Sequence, residues 1–470
     1  MRLTRRQLLG TAGAAALTAA GAYELVDRLA STPERPRAGA LPPEQHVLGG
    51  TRIVVDNRVP VVVPPLHHRV VTAKLRVGPR RSDLLDAQAA LEHALQKLEG
   101  RFPATPAGLG VTVAWGVPYF RKYVPRLAAR YLPLDRRASR AKGKPVRALL
   151  DAIRFPSDPS ETILEANEVA VLMRSDVLGH IDAAHDALFE DVDLFEPTSI
   201  RKGFVGGGFS GGKSLPKQMA LAAGVPGAEL IPDRAELFLG FTSTQKAGLG
   251  PTRIANLETL GYTDGGRSGY FRQGTQMHLS HIAEDLEAWY INFDFDERVT
   301  TAFRPGLDVP DGTMTVPQAP RDVSSTADNR RDYRRTETIG HSGAIQTASR
   351  LQTDVVGSDG TRYRKGTAIP HRADFNTLDN PFSWSATPDR DGMSSSPAAG
   401  VHFVVFNPTS DDFHRNRLAM DGVLPDGTRL EFTPRARGQG FNSVLRTTHR
   451  QNFLVPPRRH RSFPLVELLT

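Results

Sequence analysis

A glycine-rich stretch, GGGFSGGKS at residues 206–214, has the residue types of a phosphate-binding loop. From Gly207 it reads G-x-x-x-x-G-K-S, in which backbone amides and the lysine would hold phosphate groups. Such a loop follows a buried strand and opens a helix. The preceding segment EPTSIRKGFV carries charges in its middle, and Pro216 stands where the helix should propagate. We therefore interpret the stretch as a connector that uses the backbone freedom of glycine.

Two other chemical patterns are incomplete. GFSGG at residues 208–212 has the glycine and serine spacing of a hydrolase nucleophile turn, but no clear strand precedes it. HLSH at residues 278–281 holds two histidines three positions apart, without the neighbouring carboxylate expected of a metal site. The chain contains no cysteine, which excludes thiolate nucleophiles, iron–sulfur clusters and cysteine-ligated zinc.

The composition is that of a globular protein with a basic surface. Hydrophobic residues make up 39 % and charged residues 23 % of the 470 residues, so the chain can bury a substantial core. The net charge of +8 is a small excess spread along the chain, with arginine-rich patches near 121–140 and 454–461. Nucleic-acid binding needs basic residues concentrated on one face of a recognisable module. We find no such module and expect no nucleic-acid partner.

The N-terminus predicts export. In MRLTRRQLLGTAGAAALTAAGAYELV, Arg5 and Arg6 precede an alanine- and glycine-rich run that is too short and too weakly apolar to be a membrane span. Paired arginines before such a run are typical of a twin-arginine signal peptide, here residues 1–29, followed by a linker at 30–60. We therefore expect the twin-arginine translocase as a partner, membrane contact only through this signal, and an extracytoplasmic location. Free nucleotide is scarce there, which also disfavours a nucleotide site.

The first half of the chain follows a strand–helix–strand order. Residues 67–77 alternate as a strand does. The next segment, 82–99, has a leucine stripe at helical spacing, with Ser82 as its cap and Gly100 as its end. The remaining elements are strands at 108–116 and 167–175 and a helix at 176–190.

The second half repeats this order of elements. A strand-like run at 269–279 precedes a helical segment at 282–293, in which Glu284 is expected on the exposed helix face. A second strand-like run lies at 400–408, and a helix with Ser410 as cap and Gly422 as stop follows it. Each half therefore predicts one split βαβ unit, a ferredoxin-like sheet with helices on one face. The sequence predicts an α+β protein of two ferredoxin-like halves, at residues 61–235 and 236–470.

Seven segments carry a more specific signal through their order along the chain. They are VTVAWGVPYF (111–120), IRFPSDPSETILEANEVAVLMRSD (153–176), AELFLGFTST (235–244), DGGRSGYFRQGTQMHLSHIAEDLEAW (264–289), RYRKGTAIP (362–370), GVHFVVFNP (400–408) and LRTTHRQNFLVPP (445–457). In this order they resemble segments of the dye-decolourising (DyP-type) peroxidases, over most of residues 60–470. Members of that family are haem proteins built from two ferredoxin-like halves in a dimeric α/β-barrel-like arrangement.

The resemblance implies haem b as the cofactor, with hydrogen peroxide and an unidentified reductant as substrates. A haem peroxidase needs a neutral imidazole as proximal iron ligand, a distal base and a fixed cation. His341 stands 23 residues before Arg364, at the family's spacing between proximal histidine and distal arginine. The resemblance therefore implies His341 as the iron ligand and Arg364 as the distal cation. His371 is a second candidate for the ligand, and His278 or His281 a third.

The distal acid is where the chain departs from the family. The segment GFTST places Phe241 at the cofactor and Ser243 where the family has an aspartate. A serine hydroxyl can hydrogen-bond a water or a peroxide, but it cannot accept a proton near neutral pH as a carboxylate does. Loss of a general base commonly costs about 10²–10⁴-fold in rate. The resemblance therefore implies haem binding with weakened peroxidase activity, in which Ser243 positions water.

Two alternatives stay open. The same fold could hold haem, or another flat apolar ligand, without turnover, as a transport or sensing protein. It could also lack a cofactor and serve as an interaction protein of the cell envelope. The replaced aspartate favours these two alternatives, whereas Arg364 and the export route favour haem binding.

Overall fold

The computed structural model describes residues 22–30, 40–206, 213–242, 253–316, 323–378, 397–431, 433, 435–437 and 439–470. The strands, labelled in chain order, are β1 (Arg52–Asp56), β2 (Val59–Val63), β3 (His67–Leu75), β4 (Gly110–Gly116), β5 (Ile163–Leu164), β6 (Val169–Ser175), β7 (Phe195–Phe204), β8 (Thr275–Glu284), β9 (Val355–Val356), β10 (Arg362–Tyr363), β11 (His371–Arg372), β12 (Phe375–Thr377), β13 (Gly400–Asn407) and β14 (Leu445–Val455).

The α-helices, labelled in the same way, are α1 (Ala22–Leu29), α2 (Arg81–Arg101), α3 (Val117–Lys122), α4 (Pro125–Tyr131), α5 (Arg136–Lys142), α6 (Leu178–His185), α7 (Leu215–Ala223), α8 (Leu286–Ile291), α9 (Phe295–Ala302), α10 (Thr326–Thr336), α11 (His341–Ser349) and α12 (Ser410–Met420). Short 3₁₀ turns lie at Ala228–Leu230, Arg267–Gly269, Gly440–Ser443, Arg458–His460 and Val466–Leu468, and a π-helical turn at Asp186–Glu190 extends α6.

The first half of the chain folds into a four-stranded sheet. Its order is β7-β3-β6-β4, and each neighbouring pair is antiparallel. β3 is therefore parallel to β4, and α2 connects them, while α6 connects β6 with β7. The outer face of the sheet packs against these helices, since Val71 and Val171 share one buried cluster with Leu84 and Leu91. This is the split βαβ unit that the sequence predicts.

The second half repeats this unit. Its strand order is β14-β8-β13-β12, again antiparallel between neighbours, with β11 also on β13. β8 is therefore parallel to β12, and β13 is parallel to β14, with α12 as their connection. The predicted α+β fold of two ferredoxin-like halves is confirmed. The boundary between the halves at 235/236 stays a prediction.

Two strand pairings join the halves into a closed ring. β4 pairs with β14, where Trp115 faces Leu454, and β7 pairs with β12, where Phe204 faces Asn376. Asn376 Nδ2 donates to the main-chain oxygens of Phe204 and Glu236, both at 3.1 Å. Alternate strand residues fill the interior, because successive side chains point to opposite faces. The interior cluster contains Val70, Ala114, Ala170, Leu172, Val205, Ala255, Met277, Leu279, Ala373, Phe375, Val404, Phe406, Phe453 and Val455.

The glycine-rich stretch does lie between a strand and a helix, so both arguments from its local structure are wrong. β7 is a strand despite its charges, because a strand in an antiparallel sheet tolerates polar residues at alternate positions. α7 begins at Leu215, directly after its cap, and Ser214 Oγ accepts a hydrogen bond from the amide of Lys217 at 3.1 Å. Pro216 fits the first turn, where an N–H has no helical acceptor. Residues 207–212, which include most of the motif, lie outside the described residues.

Helix ends differ from the sequence prediction by a few residues. α2 begins at Arg81 and ends at Arg101, so Ser82 and Gly100 lie inside it. The cap of α12 is Thr409: its Oγ1 accepts from the amide of Asp412, and the Asp412 carboxylate accepts from the amide of Thr409. The buried leucine stripe of α2, which depends on periodicity rather than on caps, is confirmed.

Helix α1 packs on the folded body, although the sequence analysis places it in the signal. Val26 is fully buried, and Asp27 Oδ1 lies 2.7 Å from His67 Nε2. The described fold therefore begins inside the predicted signal span of 1–29. Residues 1–21, with the paired arginines, lie outside the described residues, so the twin-arginine signal stays a prediction. No helix in the described part of the chain is long and apolar enough to cross a bilayer.

Candidate functional site

A large cavity lies on the outer face of the second-half sheet. The volume of the cavity is about 200 Å³, within a wider space of about 1570 Å³ that includes the part open to solvent. Strands β8, β13 and β14 form its floor, helices α9, α11 and α12 cover it, and the segment 237–242 closes one side. Aromatic and aliphatic side chains dominate this lining, as in most ligand-binding pockets. They are Leu237, Leu239, Phe241, Ile282, Ala302, Phe303, Ile345, Pro370, Val401, Phe403, Val405, Phe413, Met420, Phe441 and Leu445.

Strand alternation decides which floor residues face the cavity. On β8, Met277 and Leu279 point into the ring, so Ser280, Ile282 and Glu284 point outward and line the cavity. The floor is therefore apolar over most of its area and ends in one carboxyl group at the C-terminal end of β8.

Helix α11 forms the opposite wall. Ser342, Ile345 and Gln346 line the cavity at helical spacing, after His341 in the first position of the helix. The start of the helix lies directly against the end of α9, because the Gly343 amide donates to the main-chain oxygen of Phe303 at 2.7 Å. The backbone contact fixes where the first side chain of α11 enters the cavity.

His341 presents a neutral imidazole to this cavity. Its ring lies 4.7 Å, between centroids, from that of Phe441. Nδ1 is buried and has no hydrogen-bond partner among the described residues. Burial, and then the positive charges of Arg372 and Arg417, lower the pKa of His341 to about 3. The ring therefore keeps a free lone pair at neutral pH, which is the form that binds metal ions.

Arg372 brings a fixed cation to the floor. On β11 its neighbour His371 points into the ring, so Arg372 points into the cavity. Its guanidinium binds Asp374 through two bonds, Nε–Oδ1 at 2.9 Å and Nη2–Oδ2 at 2.5 Å. A bidentate pair of this kind holds the guanidinium in one orientation.

A second ion-pair network lines part of the cavity and joins the two halves of the chain. Asp158, fully buried in the first half, accepts from Arg450 Nη2 at 2.6 Å and lies 3.5 Å from Arg417 Nη2. Arg417 also pairs with Asp421 at 2.7 Å. Both guanidinium groups lie over the ring of Phe155, at 5.4 and 4.7 Å from its centroid. Arg417 and Arg450 are thus held by carboxylates from both halves of the chain.

The structure brings two of the predicted site residues together. His341 and Phe241 both line the cavity, and the ring of Phe241 packs edge-on against Phe303 with 5.1 Å between centroids. Ser243, the predicted distal residue, lies outside the described residues. Its neighbour Thr242 is described and lines the cavity.

The structure does not bring Arg364 to the cavity. Arg364 follows β10, which pairs with β9 in a separate two-stranded hairpin, and its side chain is exposed. Its main-chain oxygen accepts from the amide of Thr367 at 3.0 Å, as part of a surface turn. Arg372, eight positions further along the chain, lines the cavity instead. The hairpin between α11 and β11 is the reason, because it moves Arg364 away from the sheet.

The other candidate histidines are engaged elsewhere. His371 points into the ring, with its centroid 5.6 Å from that of His46. His278 uses both nitrogens, with Asn452 Oδ1 at 2.7 Å and Ser280 Oγ at 2.8 Å. His281 lies on the opposite face of β8 from His278, since the HLSH segment is a strand and not a helix. Among the described residues, no group of three or more histidine, aspartate or glutamate side chains is arranged to hold a metal ion.

Sequence reasoning missed Arg372, Glu284 and the network around Asp158. A signal for the first exists in PHRADF, where Arg372 and Asp374 stand two positions apart, the same-face spacing of a strand. For Glu284 the sequence predicted a helix, on which a glutamate is normally exposed to solvent. The partners of Asp158 lie more than 250 positions away, at Arg417 and Arg450, which no local pattern indicates.

Known structures share this fold. The chain is similar to a DyP-type peroxidase from Cellulomonas bogoriensis at 16 % identity, over 89 % of this chain and 96 % of that one, with a TM-score of 0.51. Further similar structures are a putative DyP-type peroxidase from Shewanella oneidensis (11 % identity, 87 % and 96 % covered, TM-score 0.47) and a variant of DypB from Rhodococcus jostii in complex with haem (11 %, 86 % and 96 %, 0.45).

The similarity to the Cellulomonas protein shows that the chain has the DyP-type fold, which confirms the resemblance at the level of the fold. No curated protein sequence matches the chain. One family profile does match it, over residues 65–457, more than four fifths of the chain. The chain therefore belongs to DUF7405, a family of unknown function.

Proposed function

We propose that the protein binds haem b in this cavity, through His341, and reacts there with hydrogen peroxide. The observation that carries the proposal is the neutral imidazole of His341 on the wall of an apolar cavity, with an Nδ1 that has no hydrogen-bond partner among the described residues. A buried histidine is normally held by hydrogen bonds. Coordination of iron by the imidazole would account for a ring that no such bond holds.

The remaining lining fits a porphyrin. Phe241, Phe303 and Phe441 offer ring faces and edges to a flat apolar macrocycle. Arg350, also in the lining, is a cation that could bind a haem carboxylate, because a guanidinium matches the geometry of a carboxylate. Burial lowers the pKa of Arg350 only to about 10, so it stays charged at neutral pH.

Peroxide chemistry needs residues that hold charge. When bound, haem supplies the redox-active iron that a peroxide reaction requires. Arg372 supplies a fixed positive charge for the oxygen on which negative charge develops, since its pair with Asp374 orients it toward the cavity. The substituted position Ser243 supports slower turnover than in an enzyme with aspartate there.

We further propose export by the twin-arginine route. The support is the paired Arg5 and Arg6 ahead of a short apolar run, since this route carries proteins that fold, often with a cofactor, before they cross the membrane.

The test is a haem titration of the purified protein. We expect a Soret band that saturates at one haem per chain, and at least tenfold weaker binding in His341→Ala. His93→Ala is the matched control, because His93 is exposed on α2, far from the cavity along the chain, and should bind haem as the wild type does. Equal binding by wild type and His341→Ala, or no band at all, contradicts the proposal.

The reaction with peroxide then distinguishes a peroxidase from a non-catalytic haem-binding protein. With haem bound, a peroxide-dependent oxidation of a dye that is weakened further by Arg372→Gln supports a peroxidase. A stable Soret band without oxidation at any pH between 4 and 9 supports the alternative, a non-catalytic haem-binding or transport protein, which the replaced aspartate favours.

A further inference from the structure

We propose that Glu284 is the proton-accepting group of the cavity, the role that Ser243 cannot fill. The proposal rests on the proposed function, since it concerns the peroxide that would react there. It is carried by three features of the described residues: the position of Glu284, its lack of a partner, and the charges around it.

Glu284 lies beside the segment that leads to Ser243. That segment is held by α8, where Tyr290 Oη donates to the main-chain oxygen of Phe238 at 2.7 Å and Trp289 Nε1 donates to that of Leu239 at 3.0 Å. Glu284 lines the same cavity as Leu239 and Phe241 of this segment, and its charge contributes to the raised pKa of Tyr290. Glu284 is thus in the part of the cavity that residues 237–242 border.

The approach of these groups is close. Gly240 has φ +84°, and a Cβ there would lie 2.8 Å from Tyr290 Oη. Only glycine allows the segment to pass so near to α8 with this backbone conformation. The loop that carries Phe241 and Thr242 therefore packs closely against α8, the helix that begins just after Glu284.

Glu284 Oε2 is buried and has no hydrogen-bond partner among the described residues. The backbone of Glu284 is fixed, because its amide donates to the main-chain oxygen of Ala399 at 3.0 Å. Strand alternation sends the side chain to the cavity, next to Ile282 and opposite the helix that starts at His341. A buried carboxyl oxygen without a hydrogen-bond partner is costly to the fold, which makes a functional reason for it the better explanation.

Burial and the neighbouring charges explain the pKa of Glu284. Burial, and then the negative charge of Asp374, raise the pKa of Glu284 to about 8. The charged and titratable groups that line the cavity from its other elements are Asp158, His341, Arg350, Arg372, Asp374, Arg417 and Arg450. The guanidinium of Arg372 is committed to Asp374 and that of Arg450 to Asp158, so neither neutralises Glu284 directly.

The step is a simple proton transfer. Ionised Glu284 takes a proton from hydrogen peroxide at Oε2, which gives the carboxylic acid and the hydroperoxide anion, and Arg372 offsets the negative charge of that anion. The reverse transfer restores the carboxylate. A carboxyl group with a raised pKa is a stronger base than an ordinary glutamate, so it lies closer to the weak acid that it has to deprotonate.

The first experiment uses the protein without added haem. Infrared spectra of wild type at pH 7 should contain a protonated carboxyl band that disappears near pH 8 and is missing from Glu284→Gln. The matched control is Glu287→Gln, because Glu287 is exposed in the first turn of α8, and this variant should keep the band. A wild-type spectrum without the band at pH 7, or a band that survives in Glu284→Gln, overturns the proposal whatever the protein does with haem.

The second experiment uses the haem-loaded protein. The rate of its reaction with peroxide should rise tenfold per pH unit up to about pH 8 and then level off. Glu284→Gln should keep the Soret band, lose this limb of the pH profile and react about 10²–10⁴-fold more slowly at pH 8. A Glu284→Gln protein with the wild-type pH profile overturns the proposal. Failure of the wild type to bind haem defeats the proposed function instead, and the infrared result separates the two failures.

Discussion

Arginines and carboxylates, rather than the histidine alone, decide what the cavity can do. Arg372, Arg417 and Arg450 bring three cations to its wall, and Asp374 and Asp158 hold them. Burial of the site disfavours the charged form of any titratable group. It keeps the imidazole of His341 neutral, together with the positive charges of Arg372 and Arg417. It also keeps the carboxyl group of Glu284 protonated, together with the negative charge of Asp374.

The pair of Arg372 and Asp374 gives a prediction at this scale. Arg372→Gln leaves Asp374 buried without a partner, and we expect the free energy of unfolding to fall by about 2–3 kcal/mol, less than for a fully buried pair because Arg372 is partly exposed. Urea unfolding measures the change. Arg362→Gln breaks the exposed pair with Asp354 and should leave the free energy of unfolding almost unchanged. Equal losses in the two variants would show that the cavity pair is not specially buried.

Among the elements, α11 places the candidate ligand. Gly340, the residue before its first turn, packs on the backbone of Phe303 and Arg304, so closely that a Cβ would overlap both. The φ of Gly340 is −84°, which any residue adopts, so the requirement for glycine here is one of space. The end of α9 and the start of α11 therefore fix each other, and through them the position of His341.

Gly340→Ala should displace α11. We expect a loss of about 1–3 kcal/mol in the free energy of unfolding, because the overlapping atoms are backbone and cannot rotate away. Haem affinity should fall with it. Gly100→Ala is the control, since Gly100 lies inside α2 with no atom within 4 Å of the added Cβ, and it should stabilise the protein by about 0.5–1 kcal/mol. Unaltered stability and haem affinity in Gly340→Ala would contradict this account of α11.

Over the described part of the molecule, the closed ring and the elements packed on it bury several histidines. In its interior, His68 stacks on Phe375 with 5.0 Å between centroids, and His402 lies 5.0 Å from His281. Burial is the main cause of a lowered pKa at nine histidines, which are His67, His68, His185, His278, His281, His341, His371, His402 and His414.

These histidines predict a steep loss of stability in acid. Each stays neutral in the folded protein at a pH where the unfolded chain, with a histidine pKa near 6.5, binds a proton. The free energy of unfolding should therefore be highest above pH 7 and fall as the pH drops below about 6.5. Urea unfolding at pH 7.5, 6 and 5 measures this fall. His68→Leu should recover part of the loss and His93→Ala none, since His93 is exposed; a flat profile would contradict the burial of neutral imidazoles.

Ionisation of Glu284 acts in the opposite direction and at higher pH. Its pKa in the folded protein lies above that of an ordinary glutamate, so the unfolded chain loses the proton first and stability falls as the pH rises from about 4.5 to 8. The histidines therefore make the free energy of unfolding fall as the pH drops, whereas Glu284 makes it fall as the pH rises. The histidines and Glu284 are scattered along the sequence. Only the packing of the ring and of the cavity buries them.

The sequence by itself determined the alternation of strands and helices, the leucine stripe of α2, the doubling of the split βαβ unit and the DyP-type fold, because these follow from periodicity and from the order of segments. It also indicated Phe241 and His341, which lie on the same cavity. Only the tertiary structure decided which cation accompanies them. A surface hairpin moves Arg364 away from the cavity, and strand alternation points Arg372 into it. The register of one strand therefore decides which arginine lines the cavity, and the spacing along the chain does not. Burial, which sets the protonation of Glu284 and His341, is a property of the packed molecule and of no local segment.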